Sequence, residues 1–170
     1  MTDMLIPHLE REYRIHVYET DPDEKVNLYS LFNYLQDIAA QHAIKLGYSR
    51  DELMKDNHFW VLSRMYAVIS DRPSRDESII VKTWPCGTDH MFALRYYEIR
   101  RPDGRIIANA SSSWLIIDHS TKRIQRPDEL LTRLNLEVRS GNAPVRCATK
   151  LEGASENGQY SPEFPVKLSD

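Results

Sequence analysis

Residues 27–47, NLYSLFNYLQDIAAQHAIKLG, decide the fold. Leu28, Leu31, Phe32, Leu35, Ile38, Ala39, His42, Ala43 and Leu46 recur at intervals of three and four, which places them on one face of an α-helix. Asn27 is the expected N-cap, because its side-chain oxygen accepts a first-turn N–H, and Gly47 is the expected stop, because it tolerates positive φ. The spacing therefore predicts a helix over 28–46 whose one apolar face must be buried against something else. What lies on either side supplies the cover. In residues 11–19, Tyr13, Ile15 and Val17 alternate with polar neighbours at the period of a half-buried strand. Downstream, residues 59–70, 78–86, 91–100 and 105–118 are rich in β-branched and aromatic side chains. Turn chemistry separates them: Asp71-Arg72-Pro73, Pro85-Cys86-Gly87 and the tight Pro102-Asp103-Gly104 hairpin. Runs such as Val61-Leu62 and Ile79-Ile80-Val81 are apolar on both faces, so both sides of the sheet are expected to be covered, one by the helix.

Residues 127–134, PDELLTRL, read as a short closing helix with Pro in the first turn and acidic residues near the positive dipole end. From residue 135 to 165 the chain is polar and punctuated by Gly141, Pro144, Gly153, Gly158 and Pro162, the composition of a linker. The final FPVKLSD turns apolar again, as a strand would. With 170 residues, 41% hydrophobic and 28% charged, the chain has the profile of one ordinary soluble domain with a tail. Cys86 and Cys147 lack the spacing of a metal knuckle or a redox pair, so a disulfide scaffold is excluded and a reducing compartment fits. Neither a signal peptide nor an apolar run of membrane-spanning length is present, and a cytoplasmic protein is expected. The net charge of −3 argues against a general nucleic-acid binder. It is unevenly spread, with 11 Lys and Arg against 6 Asp and Glu between Met91 and Lys150. A locally basic half suits an acidic partner.

Strand, long helix and four antiparallel strands form the α+β hotdog arrangement, a sheet wrapped around one long central helix. Beyond the pattern, NLYSLFNYLQDIAAQHAIKLG, FWVLSRMYAVISDRPSRDESIIVKTW and ANASSSWLIIDHSTKRIQRPDEL resemble, in order and spacing, the N-terminal hotdog of the acyl-(acyl carrier protein) thioesterases of bacteria and plant plastids. The resemblance covers roughly residues 10 to 134. It rests on W-x-x-x-R-M after the helix, T-W closing the next strand, and A-x-S-x-W followed by T-x-R. It implies two tandem hotdogs, with 1–134 as the first and 135–170 as a linker and the start of a missing second. It also implies hydrolysis of the thioester joining a fatty acyl chain to the phosphopantetheine arm of acyl carrier protein, without a cofactor. In that family the reacting groups sit in a D-x-N-x-H-V-N-N stretch of the second hotdog, so this chain is expected to supply the acyl pocket and to be weak or inactive alone.

Laid over that motif, Asp23 matches the Asp, Lys25 the Asn and Asn27 the His, a degenerate pattern in which Asp21 and Asp23 are the remaining acidic candidates. A related single-hotdog class, the hydroxybenzoyl-CoA-type thioesterases, carries an Asp in such a loop and self-associates to complete its site, which makes a self-contained dimeric acyl-CoA thioesterase the alternative. A non-catalytic acyl-binding module is another. Residues expected to line an acyl pocket between helix and sheet are Leu35, Ile38, His42, Met65, Trp84, Ser111 and Ser113. Pocket depth would select chain length, at about 0.8 kcal/mol per buried methylene. Lys122, Arg123 and Arg126 are the expected docking patch for the acidic carrier, with Arg100, Arg101 and Arg105 as a second basic cluster. No H-x-x-x-H or C-x-x-C occurs, so no metal site is expected. The Ser111-Ser112-Ser113 run lacks a nucleophile elbow. An unpaired hotdog leaves a sheet edge open, so a homodimer, or pairing with a second hotdog, is expected.

Overall fold

The computed structural model describes residues 8–127 and 143–150. Within them run β1 (Leu9–Arg14), a single 3-10 turn (Val17–Glu19), α1 (Leu28–Lys45), α2 (Arg50–Lys55), β2 (His58–Ile69), β3 (Ser78–Asp89), β4 (Phe92–Arg100), β5 (Ile106–Asp118) and β6 (Ile124–Gln125). The strands form one antiparallel sheet in the order β1-β3-β4-β5-β2, with β6 paired to the end of β5.

α1 begins and ends where local chemistry dictates. The Asn27 side chain accepts the Ser30 N–H at 2.8 Å. At the other end the Gly47 N–H donates to the Ile44 carbonyl and the Tyr48 N–H to the Ala43 carbonyl, with Gly47 at φ +78°. This paired closure satisfies two last-turn carbonyls and needs the left-handed residue that glycine supplies. The buried face of α1 comprises Ser30, Leu31, Tyr34, Leu35, Ile38, Ala39 and His42. Across from it, Ile79, Val81, Tyr97, Ile99, Ala108 and Ala110 close the main core, with Met65, Ala67 and Ile69 of β2 packed against them. Strand register explains the grouping: Tyr97 pairs with Thr83 and with Ala110, which pairs with Ala67. A second apolar cluster, Leu46, Tyr48, Leu53 and Ile116 with Ala43 and Trp60, lies at the C-terminal end of α1.

Several boundaries differ from the sequence reading. The first strand stops at Arg14, because the His16 N–H is taken by the Glu19 carboxylate and the chain turns into the 3-10 segment, leaving Val17 63% exposed. The short helix α2 was not anticipated, although Ser49, whose side chain accepts the Glu52 N–H, is an ordinary N-cap. The closing helix expected over 127–134 lies outside the described residues after Pro127, as does most of 135–170. Residues 143–150, expected to be linker, lie against the face of the sheet opposite α1. The Ser111 hydroxyl donates to the Arg146 carbonyl at 2.8 Å, Ala148 is buried, and the Arg146 guanidinium sits 4.4 Å above the Tyr66 ring.

Candidate functional site

Between the first two turns of α1 and the sheet lies a shallow crevice with a free volume of about 10 Å³, partly open to solvent and lined by Leu31, Phe32, Leu35, Ala67, Ile69, Ile99, Ala108 and Ala110. No polar side chain contributes to it. Ala67 of β2 faces Ala110 of β5, and Ala108 two residues along faces Ile69, so the lining there is small. Such a slot suits an apolar guest, and it contains no group able to activate water.

Of the expected pocket residues, Leu35 lines the crevice, Ile38 is fully buried one turn further along α1, and Met65 packs against the same core from β2. His42 is fully buried another turn on. Trp84, Ser111 and Ser113 were expected on the helix side and lie on the opposite face. Residue alternation puts Thr83 and Ser112 inward, so their neighbours point out: Trp84 packs on Tyr96, and Ser111 and Ser113 donate to the carbonyls of Arg146 and Ala148. Ser112 is the inward serine, bonded to the Tyr97 hydroxyl at 2.8 Å and to the Trp114 indole N–H at 2.7 Å.

Beyond Ile38 the helix–sheet interior turns polar. Arg95, only 7% exposed, donates from Nη1 to His42 Nδ1 at 3.0 Å and to Thr83 Oγ1 at 3.2 Å. A guanidinium only donates, so His42 Nδ1 is the acceptor of its bond to Arg95. Among the described residues no carboxylate pairs with Arg95. Burial pushes the Tyr48 phenol up, while the neighbouring Arg95 charge pulls it back. Burial also raises the Tyr97 phenol. The sequence reading missed Arg95, Thr83 and Tyr97. The signal was present, since Arg95, Tyr97 and Ile99 share one face of β4 and an arginine two residues from a core tyrosine is anomalous.

In the loop before α1, Asp21 is engaged by the loop backbone and by Arg72. One Asp21 oxygen accepts the N–H groups of Asp23 and Lys25, both at 3.1 Å, and the other meets Arg72 Nη1 at 2.6 Å. The Arg72 guanidinium, with the backbone donors, holds the Asp21 carboxyl below its ordinary range. Such a carboxylate is a poor base, and its lone pairs are occupied by loop structure. Asp23 is exposed, Lys25 donates to Ser74 Oγ at 2.9 Å, and Asn27 is the helix cap. Among the described residues no cluster of His, Cys, Asp or Glu could hold a metal ion, and no helix is long and apolar enough to cross a membrane.

The two basic clusters separate cleanly. Arg100 pairs with Glu10 at 2.8 Å, Arg101 with Asp71 and Glu77 at 2.9 and 2.8 Å, and Arg105 with Asp71 at 3.0 Å, so these charges are neutralised within the fold. Lys122, Arg123 and Arg126 are exposed and make no ion pair among the described residues. Their turn is fixed by Asp118, whose side chain accepts from Thr121 N, Thr121 Oγ1 and Ser120 N, and Lys122 Nζ lies 5.9 Å from the Phe59 ring centre.

Comparison with known proteins supplies the family. The chain is 27% identical over 128 residues to the chloroplastic palmitoyl-acyl carrier protein thioesterase of Cuphea hookeriana, covering 71% of this chain and 31% of that protein. It is 25% identical over 170 residues to the chloroplastic oleoyl-acyl carrier protein thioesterase 2 of Arabidopsis thaliana, covering 89% of this chain and 45% of that one. It thus spans between about a third and a half of these relatives. The crystal structure of an acyl-ACP thioesterase from Bacteroides thetaiotaomicron superposes with a TM-score of 0.76 at 22% identity, covering 91% of this chain and 62% of the other, and shows the same fold. The family model for the acyl-ACP thioesterase N-terminal domain matches residues 8–134, and the chain belongs to that family.

Proposed function

We propose that this chain supplies the acyl-binding hotdog for hydrolysis of fatty acyl-(acyl carrier protein) thioesters, the reacting groups coming from outside the described residues. The observation that carries the reading is the crevice between α1 and the alanine-floored sheet, wholly apolar and without an acid or base. Membership of the thioesterase family gives that slot its guest. The engagement of both Asp21 oxygens by Arg72 and backbone N–H groups speaks against a self-contained site of hydroxybenzoyl-CoA type. The cations Lys122, Arg123 and Arg126, without an ion pair among the described residues, make a docking face for an acidic carrier, where a patch steers association more than it adds affinity. The edge of β2, unpaired among the described residues, is where a second hotdog, or a second copy of this chain, would pair. A reducing cytoplasm is the compartment that goes with this reading.

The test incubates the 170-residue chain with fatty acyl-carrier and acyl-CoA thioesters of graded length. Binding of the acyl group, with any hydrolysis unaffected by Asp21→Ala or Asp23→Ala, is the expected result. Turnover abolished by either substitution would move the chemistry into this domain, and failure to bind any acyl group would remove the acyl-binding assignment.

A further inference from the structure

We infer that Cys86 and Cys147, far apart in the chain, form a dithiol site at which a low-molecular-weight disulfide such as oxidised glutathione closes a reversible bond, stapling residues 143–150 to β3. Neither cysteine is in a disulfide in this structure, and both are half-buried. Tyr96 brings them together. Its hydroxyl lies 3.0 Å from Cys147 Sγ, and its ring packs on Trp84, two residues before Cys86 on β3. Tyr96 also pairs across β4 with both Trp84 and Ser111, and the Ser111 hydroxyl holds the Arg146 carbonyl beside Cys147. On the other side of Cys147 the Ser113 hydroxyl holds the Ala148 carbonyl at 3.4 Å. The two thiols sense one another. Burial first, and then the charge of Cys147, push the Cys86 thiol up. Burial, the bond to Cys147 and the charges of both cysteines push the Tyr96 phenol up.

The backbone on each side can give. Pro85 pairs with Arg95 and Thr88 with Ala93, so Cys86 and Gly87 bulge against the single residue Leu94, with Gly87 at φ +96°. Residues 143–150 carry no strand pairing and are held by the two serine hydroxyls and by Arg146 above the Tyr66 ring. A bulge and an irregular segment therefore reach sulfur bonding distance without breaking the ladder around them. The two sulfurs have different roles. The Tyr96 phenol stays protonated and donates to Cys147 Sγ when that sulfur is a thiolate, whereas burial keeps Cys86 a thiol. The Cys147 thiolate attacks one sulfur of oxidised glutathione, forming a mixed disulfide and releasing one glutathione thiolate, which takes up a proton. Cys86 then gives up its proton and attacks Cys147 Sγ, expelling the second glutathione. Two protein thiols lose two electrons and two protons in all, and one glutathione disulfide becomes two thiols. The bond closes a loop of about 60 residues, long enough to constrain the unfolded chain strongly.

The experiment equilibrates the 170-residue chain in a series of glutathione redox buffers and reads intact mass, non-reducing gel mobility and thermal midpoint. Rising oxidised glutathione is expected to give a form lighter by two hydrogens, with no retained glutathione and no covalent link between chains, which dithiothreitol reverses. Its midpoint should lie several degrees above that of the dithiol form. Trypsin should cleave it after Arg146 and Lys150 several-fold more slowly. Cys86→Ser and Cys147→Ser should each trap a glutathione adduct on the remaining cysteine, several-fold faster at Cys147 than at Cys86, and neither should gain the rise in midpoint. Equal rates would overturn the assignment of Cys147 as the attacking sulfur. Glutathione adducts persisting on both cysteines of the wild type, disulfides only between chains, or an internal bond that forms only in denaturant would overturn the site. A wild type that stays reduced in oxidised glutathione alone would overturn it as well.

Discussion

At the scale of single residues, the two ends of α1 show how much a local choice contributes. Gly47 adopts φ +78°, and a Cβ built there would meet nothing within 4 Å. The cost of Gly47→Ala is therefore one of backbone conformation alone, about 1 kcal/mol. Urea unfolding should show that loss with no change in the slope of the transition. Asn27→Ala removes the acceptor for the Ser30 N–H and should cost about 1 kcal/mol as well, whereas exposed Asp23→Ala should leave the midpoint where it is. Both ends of this helix were legible in the sequence because capping is a local code written in one or two residues. Asp21 was not legible in the same way. Its residue type and position suggested chemistry, and only the contact with Arg72, fifty-one residues away, shows that it holds a loop.

At the scale of elements, α1 is held by burial. Ile38 is fully buried in the main core, so Ile38→Ala should destabilise by about 3 kcal/mol, a value that includes the cavity left behind; chemical denaturation measures it directly. The turns flanking β3 and joining β4 to β5 are held by charge. Arg101 bridges Asp71 and Glu77, and its guanidinium holds both carboxyls below their ordinary values. Depressed folded-state values mean that this stabilisation is present above the unfolded values of 3.8 and 4.5 and is lost as pH falls through the folded ones. Arg101→Met should accordingly be less stable than the wild type at neutral pH, with the two stability curves converging as pH falls through the depressed folded values; unfolding monitored across pH checks it. Strand identity was readable from alternation and turn residues, because period two and Gly104 are local signals. Which side of a strand faced the helix was harder to read. Trp84, Ser111 and Ser113 were assigned inward when Thr83 and Ser112 are the inward residues, since a one-residue slip in phase reverses every side chain. The polar layer escaped because it is assembled from α1, β3 and β4, and no local window contains all three.

At the scale of the whole molecule, the sheet has two edges of opposite character. β1 is six residues long and carries Glu10, Arg11, Glu12 and Arg14, the short charged design that discourages further pairing. β2 at the other edge is twelve residues long, HFWVLSRMYAVI, with Arg64 its only Lys, Arg, Asp or Glu and no proline. No strand among the described residues pairs with its outer edge, whose N–H and C=O groups form a template for another strand, and exposed Val68 and Leu28 add apolar surface to the molecule. The asymmetry predicts that the chain self-associates through β2, most simply as a two-fold dimer with the strands antiparallel. Sedimentation across a concentration series should show a dimer. Val68→Lys, at a residue 48% exposed and so dispensable for the monomer's core, should weaken the association several-fold without lowering the unfolding midpoint of the dilute protein. A species that stays monomeric at high concentration would mean that β2 is covered from within the chain, and that the crevice beside Ala67 and Ile69 is closed by this polypeptide rather than by a partner.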